Sequence, residues 1–245
     1  MSVHAEMRGS AAVVTMGWPE RRNALDPDRA TQVAEVIERA TGDAAALVLT
    51  GNGAFCSGGD LSYFAELATT ARPEDIVDEV YGRVQKLTRA LRDCPLPTIA
   101  AVDGAAIGLG FDLSLACDQR FAGPEALFVQ GWAALGLVHG TAGFAFLESE
   151  RPGVAWRLLA TQERLDRERA VGMGIAERGE PTALDAALER SEQLSRLPRA
   201  TREGYVTLAR EARWPSDDYF RQCAEIQSHL IVSDDFRIAA ARALA

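Results

Sequence analysis

The sequence predicts a mixed α/β fold wound from repeated strand-strand-helix units and closed by a C-terminal helical segment. Three observations carry that expectation. Two short apolar runs rich in β-branched or small residues, Leu47 to Thr50 and Thr98 to Val102, each lead through a glycine-rich bend into a helical pattern. Further short extended pieces, Gln119 to Ala122, Leu127 to Val129 and Gly174 to Ala176, are separated by helices, so the winding is not strict β-α-β alternation. After Leu197-Pro198 the pattern is helical throughout, which divides the chain into a core, residues 1–197, and a C-terminal segment, residues 198–245.

In chain order, Val3 to Met7 and Ala11 to Met16 flank Arg8-Gly9-Ser10 and read as a β-hairpin. Trp18-Pro19 breaks the second strand, since proline offers a ladder no N–H. Asp26-Pro27 starts a helix in which Ala30, Val33, Ala34, Ile37 and Ala40 keep helical spacing until Gly42. Beyond the first bend, Leu61 to Leu67 reads as a short helix and Thr69 to Arg72 as a mobile connection beside a substrate pocket. Pro73 opens a long helix with Ile76, Val80, Val84, Leu87 and Leu91 on one face, and Pro95 and Pro97 stop it. Asp103-Gly104 turns the strand Thr98 to Val102, and Gly108 and Gly110 bracket a tight bend before the helical run Phe111 to Ala116. Pro181 starts another helix, and the C-terminal segment holds helices from Ala200 to Ala212 and from Asp217 to Ala243.

Composition excludes several classes of function. With 245 residues, 47% of them hydrophobic, the chain can bury a full core. A net charge of −9 makes nucleic acid and anionic membrane surfaces poor partners, so an anionic ligand would need local positive charge. No basic-then-apolar leader and no apolar run near the ~18 residues of a membrane span is present, and a cytoplasmic location is expected. Cys56, Cys94, Cys117 and Cys223 lack metal-ligand or disulfide spacing and read as small buried hydrophobes. Lys86, the only lysine, lies in a helical pattern, which argues against Schiff-base chemistry.

The two glycine bends are where chemistry can reside. Free N–H groups at a helix N-terminus, carried on glycines that admit another molecule, suit an anion or a developing oxyanion; such a bend can equally be a plain turn. A dinucleotide fingerprint would place a third glycine where Leu113 stands, so no nicotinamide or flavin site is expected. The stretches Gly51 to Leu61 and Ala101 to Gly110 resemble the two signatures of the crotonase (enoyl-CoA hydratase/isomerase) superfamily. Pro19 to Leu25, Cys117-Asp118, Leu135 to Val138 and Ser233 to Phe236 extend the resemblance from Val13 to Phe236. It implies the ClpP/crotonase-like repeated ββα superhelix and an acyl-CoA or acyl-carrier thioester substrate. Coenzyme A would arrive as part of that substrate, with no separate cofactor and no metal. It also implies a homotrimer or hexamer assembled through the C-terminal segment.

Carried over by motif, the N–H groups of Gly59 and Leu109 form an oxyanion hole that stabilises a thioester enolate, with Gly58, Asp60, Leu61 and Gly108 around it. Arg21 and Arg22 would meet the phosphates of coenzyme A, although charge alone reads them as a solvated loop; Ala24 and Leu25 would offer backbone to its adenine. Tyr63 and Phe64 would line the acyl pocket. At the acid/base positions the sequence departs from the family. Hydratases of the family use two glutamates, and spacing places these on Asp112 and Trp132, leaving one carboxylate. Asp112 is then either a shortened acid/base or a dipole-stabilised residue of a helix N-terminus. His139, which replaces a usual proline before Gly140, is a second acid/base candidate or a helix-end hydrogen-bonding group. Trp132 resembles the aromatic of the 4-chlorobenzoyl-CoA dehalogenase branch, but the nucleophilic aspartate of that branch would fall on Gly140. The expectation is an enoyl-CoA hydratase/isomerase-family enzyme working through an enolate. A lyase, decarboxylase or hydrolase of the same fold, or a catalytically silent thioester-binding subunit, are the alternatives.

Overall fold

The computed structural model describes residues 2–40 and 42–245. Its strands are β1 (His4–Arg8), β2 (Ala11–Met16), β3 (Ala46–Gly51), β4 (Thr98–Val102), β5 (Ala105–Ile107), β6 (Gln119–Ala122), β7 (Leu127–Val129), β8 (Leu165–Asp166) and β9 (Glu177–Arg178). The hairpin β1-β2 is antiparallel, with Arg8 opposite Ala11, and β2, β3, β4, β6 and β9 continue it as a parallel sheet of six strands. A second sheet runs in the order β5-β7-β8. Strand alternation explains why the parallel strands read as unbroken apolar runs, because both faces are covered. Val14, Leu49 and Ala100 point into the main core, while Val13, Val48 and Ile99 point into a smaller one that includes Ala183 and Ala187.

The helices are α1 (Pro27–Arg39), α2 (Leu61–Thr70), α3 (Pro73–Asp75), α4 (Gly82–Asp93), α5 (Leu109–Ala116), α6 (Gly143–Glu150), α7 (Val154–Thr161), α8 (Arg167–Gly172), α9 (Ala183–Ser195), α10 (Arg199–Arg213), α11 (Asp217–Ile231) and α12 (Asp234–Leu244). Asp26 caps α1 by accepting the Arg29 N–H, and Thr182, next to Pro181, caps α9. The expected face of Ile76, Val80, Val84, Leu87 and Leu91 is buried, although a π-helical turn, Ile76–Tyr81, joins α3 to α4.

Three local expectations are corrected, and two strands are added. The helix after the first bend continues through Thr70, so the supposed mobile connection shrinks to Ala71 and Arg72. Gly174 to Ala176 is a turn, with Gly174 at φ +68, and the strand is Glu177–Arg178. The long C-terminal helix is two, because Ser233 accepts the Phe236 N–H and starts a new helix there. Ala105–Ile107 and Leu165–Asp166 are strands too short to show a period. Among the described residues no helix is long and apolar enough to cross a membrane. The C-terminal segment lies back on the core, with α11 against α2 and α3, and α12 against α2.

Candidate active site

Backbone hydrogen bonds zip the two glycine bends together. Cys56 donates its N–H to Ala105 O at 2.9 Å and accepts from the Ile107 N–H at 3.0 Å. A Cβ on Gly110 would stand 2.0 Å from Cys56 O, so glycine is required where α5 crosses the first bend. On the other side, Leu25 donates to Gly58 O and accepts from the Asp60 N–H, both at 2.9 Å, which leaves the intervening Gly59 N–H outside the pairing. Leu109 is the first residue of α5, so its N–H has no acceptor within the helix. Neither N–H donates to an acceptor among the described residues. Both residues line one cavity of about 130 Å³, whose wall includes Phe64, Trp132, Leu137 and Phe236. Gly58, at φ +111, brings the bends together: a Cβ there would lie 3.9 Å from Leu109 N. The arrangement presents two free donors to a ligand in an apolar space.

Of the remaining expected pocket residues, Leu61, Phe64, Gly58, Gly108 and Trp132 line this cavity. Tyr63 does not. It meets the Phe64 ring edge-on at 5.6 Å, and burial raises its phenol against the opposing charge of Arg83, with Asp26 and Asp28 nearby, which places it toward α1. Asp60 also stays outside, capping α2 through the Tyr63 N–H and accepting from Arg21 at 2.9 Å and Arg29 at 3.2 Å. Burial would raise the Asp60 carboxyl, but the Tyr63 N–H and the two guanidiniums outweigh it and hold the group below its ordinary value.

Asn23 holds the Arg21-to-Leu25 turn, a role that composition does not signal. It is fully buried with φ +55; its Oδ1 accepts from the Trp18 N–H at 2.8 Å and its Nδ2 donates to Ala54 O at 2.7 Å. Arg22 is exposed and forms no ion pair with a described residue, whereas Arg21 is committed in part to Asp60. Ala24 has less to offer than expected, because its N–H goes to Arg21 O and its carbonyl accepts from Arg29.

Neither acid/base candidate lines this cavity. Asp112 is 1% exposed and absent from the cavity lining. Its Oδ2 accepts from Trp132 Nε1 at 3.2 Å and from Thr141 Oγ1 at 2.7 Å, and its Oδ1 pairs with His139 Nδ1 at 2.8 Å. The carboxylate is therefore held by the indole N–H and does not face the cavity. His139 opens instead onto a second cavity of about 270 Å³, between the rings of Trp132 and Phe144. Among the described residues no carboxylate or imidazole lines the first cavity. Tyr81 does line it, and burial holds its phenol protonated far above the usual range. Desolvation also pushes the thiols up, to about 12 for Cys56 and Cys117 and about 11 for Cys94 and Cys223, so none is a ready nucleophile. Ile231 and Phe236, from the C-terminal segment, complete the wall; the sequence offers Ile231 only as an apolar position of a helical pattern and Phe236 as the end of the matching stretch Ser233 to Phe236, with no pocket role for either.

Comparison with known proteins bears on this geometry. A model of the family described as enoyl-CoA hydratase/isomerase matches residues 6–242. The chain is 39% identical over 192 residues to the probable enoyl-CoA hydratase EchA14 of Mycobacterium tuberculosis, covering 77% of this chain and 73% of that protein. It is 30% identical over 176 residues to the crotonyl-CoA hydratase of Syntrophomonas wolfei, covering 69% and 65%. Among solved structures, an enoyl-CoA hydratase from Bacillus halodurans superposes with a TM-score of 0.88 at 22% identity, over 99% of this chain and all of that one. A candidate enoyl-CoA hydratase from Thermobifida fusca, solved in complex with CoA, superposes with a TM-score of 0.76 at 28% identity, over 91% and 89%.

Proposed function

The chain belongs to the enoyl-CoA hydratase/isomerase family, and from that premise we propose that it holds an acyl-CoA thioester with its carbonyl oxygen between the Gly59 and Leu109 N–H groups. The observation that carries this is the pair of unpartnered donors in one apolar cavity. Such donors favour the enolate over the neutral thioester, because negative charge grows on the oxygen they face, and one is worth about 3 to 4 kcal/mol of barrier. Leu109 serves as well as any residue, since its side chain takes no part. The exposed Arg22 and the turn pinned by Asn23 lie where an anionic handle such as the phosphates of coenzyme A can be met. Coenzyme A comes with the substrate, and no further cofactor is required by this reading. With neither carboxylate nor imidazole in the lining, removal of the α-proton falls to water, so enolate formation is slow and hydration weaker still. Assembly of three or six copies through residues 198–245 belongs to the same proposal.

A second reading, a subunit that binds thioesters and transforms none, is favoured by the same lining. Incubation with butyryl-CoA in D₂O separates the two. Deuterium appearing at the α-carbon supports the enolate reading; binding without exchange supports the silent subunit; absence of binding to any acyl-CoA overturns both.

A further inference from the structure

We propose that Trp132 is a specificity-determining partition that ends the acyl cavity at a short, uncharged acyl group, with Asp112 as the residue that positions it. The inference rests on the thioester reading above. An apolar cavity of about 150 Å³ is enough for benzene, so the 130 Å³ here has room for roughly four to six carbon atoms. Trp132, Leu135, Leu137, Ile231 and Phe236 make an apolar wall with no acceptor and no charge, and the hydroxyls in the lining are those of Ser57, beside Gly59, and Tyr81. A charged acyl group would lose its water there and find no cationic side chain to meet it.

One hydrogen bond fixes the indole itself: its Nε1 donates to the buried Asp112 carboxylate at 3.2 Å. The backbone N–H of Trp132 donates to Gln130 Oε1 at 3.1 Å, and the ring packs beside Gly108, where an added Cβ would lie 3.7 Å from it. Asp112 is braced in turn by Thr141 and His139, so the acceptor is held in place, and the indole cannot swing aside without leaving its Nε1–H unpaired and taking one of three partners from a buried carboxylate. Behind this wall is the second cavity, about 270 Å³, lined by Leu137, Phe144, Trp156 and Ile226, with Gln130 and His139 on its near side. Leu137 faces both spaces. Trp132 and its neighbour Gln130 thus stand between a small cavity that holds the free N–H groups and a larger apolar one that does not. A chain beyond about six carbons has to displace the indole, and shortening that side chain should join the two spaces.

The test is calorimetric affinity for saturated acyl-CoAs of two, four, six, eight and twelve carbons. Wild-type affinity should rise from acetyl to butyryl by about fourfold for each methylene that finds room, and stop rising beyond hexanoyl. Trp132→Ala should keep gaining to dodecanoyl, binding it at least about tenfold more tightly than the wild type does. Trp132→Phe, which keeps the bulk and loses the N–H, should retain most of the cut-off. Asp112→Ala should relax the cut-off partway, a change in chain-length selectivity that simple loss of stability would not produce. If Trp132→Ala fails to fold, Trp132→Leu should move the cut-off in the same direction. Wild type binding dodecanoyl-CoA more tightly than butyryl-CoA, or a folded Trp132→Ala or Trp132→Leu keeping the wild-type profile, would overturn the partition alone. Absence of binding for every acyl-CoA, wild type included, would overturn the thioester reading.

Discussion

The Trp132 indole donates its Nε1–H to Asp112 Oδ2 at 3.2 Å, so the carboxylate that spacing sets nearest the thioester is spent on holding an aromatic wall. A carboxylate with three partners and no exposure is poorly placed to exchange protons with a substrate. Asp112→Asn keeps the shape but turns an acceptor into a donor facing Trp132, Thr141 or His139. It should cost about 1 to 3 kcal/mol of stability, the penalty of leaving buried partners unmatched. Denaturant unfolding measures this, and unchanged stability would mean that the carboxylate is not bonded as described.

Crotonyl-CoA should be hydrated poorly. Efficient enzymes approach about 10⁸ M⁻¹s⁻¹ in kcat/KM, and with no carboxylate or imidazole in the lining both acid/base partners are missing, each worth about 10² to 10⁴-fold, so at most about 10⁴ M⁻¹s⁻¹ is expected. Decay of the enoyl-thioester ultraviolet band reads the rate. A rate near the diffusional ceiling would show that a carboxylate reaches the cavity from another part of the chain.

Gly59→Pro deletes one of the two free N–H groups. Enolate exchange or any other thioester turnover should drop by at least about 10²-fold in protein whose circular dichroism is native. Full turnover in such protein would move the oxyanion hole elsewhere.

The two arginines of the first turn should not be equivalent. Arg22→Ala should weaken coenzyme A binding by about 1 to 3 kcal/mol at low salt, as for a charge-assisted hydrogen bond. Arg21→Ala should do less, because its guanidinium is tied to Asp60 at 2.9 Å. If the double variant binds with wild-type affinity, the phosphates are held elsewhere.

Asp60 gives acid pH a specific target. Its carboxyl is held below the ordinary 3.8 by the Tyr63 N–H and the arginines despite its burial. A depressed carboxyl contributes stability that is fully present above the unfolded value and is lost as pH falls through the folded one. Asp60→Asn keeps a side-chain oxygen that can cap α2 but loses the charge that faces Arg21 and Arg29, so it should be less stable than wild type at neutral pH. That difference should shrink as pH drops below 3.8. A difference that persists into strong acid would mean the charge of Asp60 contributes nothing.

What could be read from the sequence followed from local, period-bearing signals. The strands Leu47 to Thr50 and Thr98 to Val102, the helix start at Asp26-Pro27 and the buried face from Ile76 to Leu91 all depend on neighbours a few residues away, and the structure holds them. Gly58, Gly59, Gly108 and Leu109 come together because two similar bends are joined by bonds such as Cys56 N–H to Ala105 O. Direction of side chains was not legible. Spacing along α5 cannot tell whether Asp112 faces ligand or core, since the outcome depends on Trp132, Thr141 and His139, which are distant in sequence. Tyr63 and Phe64 show the same limit, as adjacent residues on one helix look to opposite sides. Asn23 was hidden by being polar in a charged turn, although an asparagine at positive φ is the residue such a turn favours.

Ile231 and Phe236 form part of the cavity wall, although more than a hundred residues separate them from Leu109 and Gly59. Occupancy of the site is therefore thermodynamically linked to the seating of α11 and α12. A ligand that touches both parts must stabilise the closed arrangement by its preference for that arrangement over one with the helices undocked. Amides at the junction of α11 and α12 should exchange with solvent more slowly when an acyl thioester is present, so their protection reports occupancy from outside the glycine bends. The converse also holds: a substitution on the core-facing side of α12 can weaken acyl-CoA affinity without touching coenzyme A or either donor, solely by making closure less favourable.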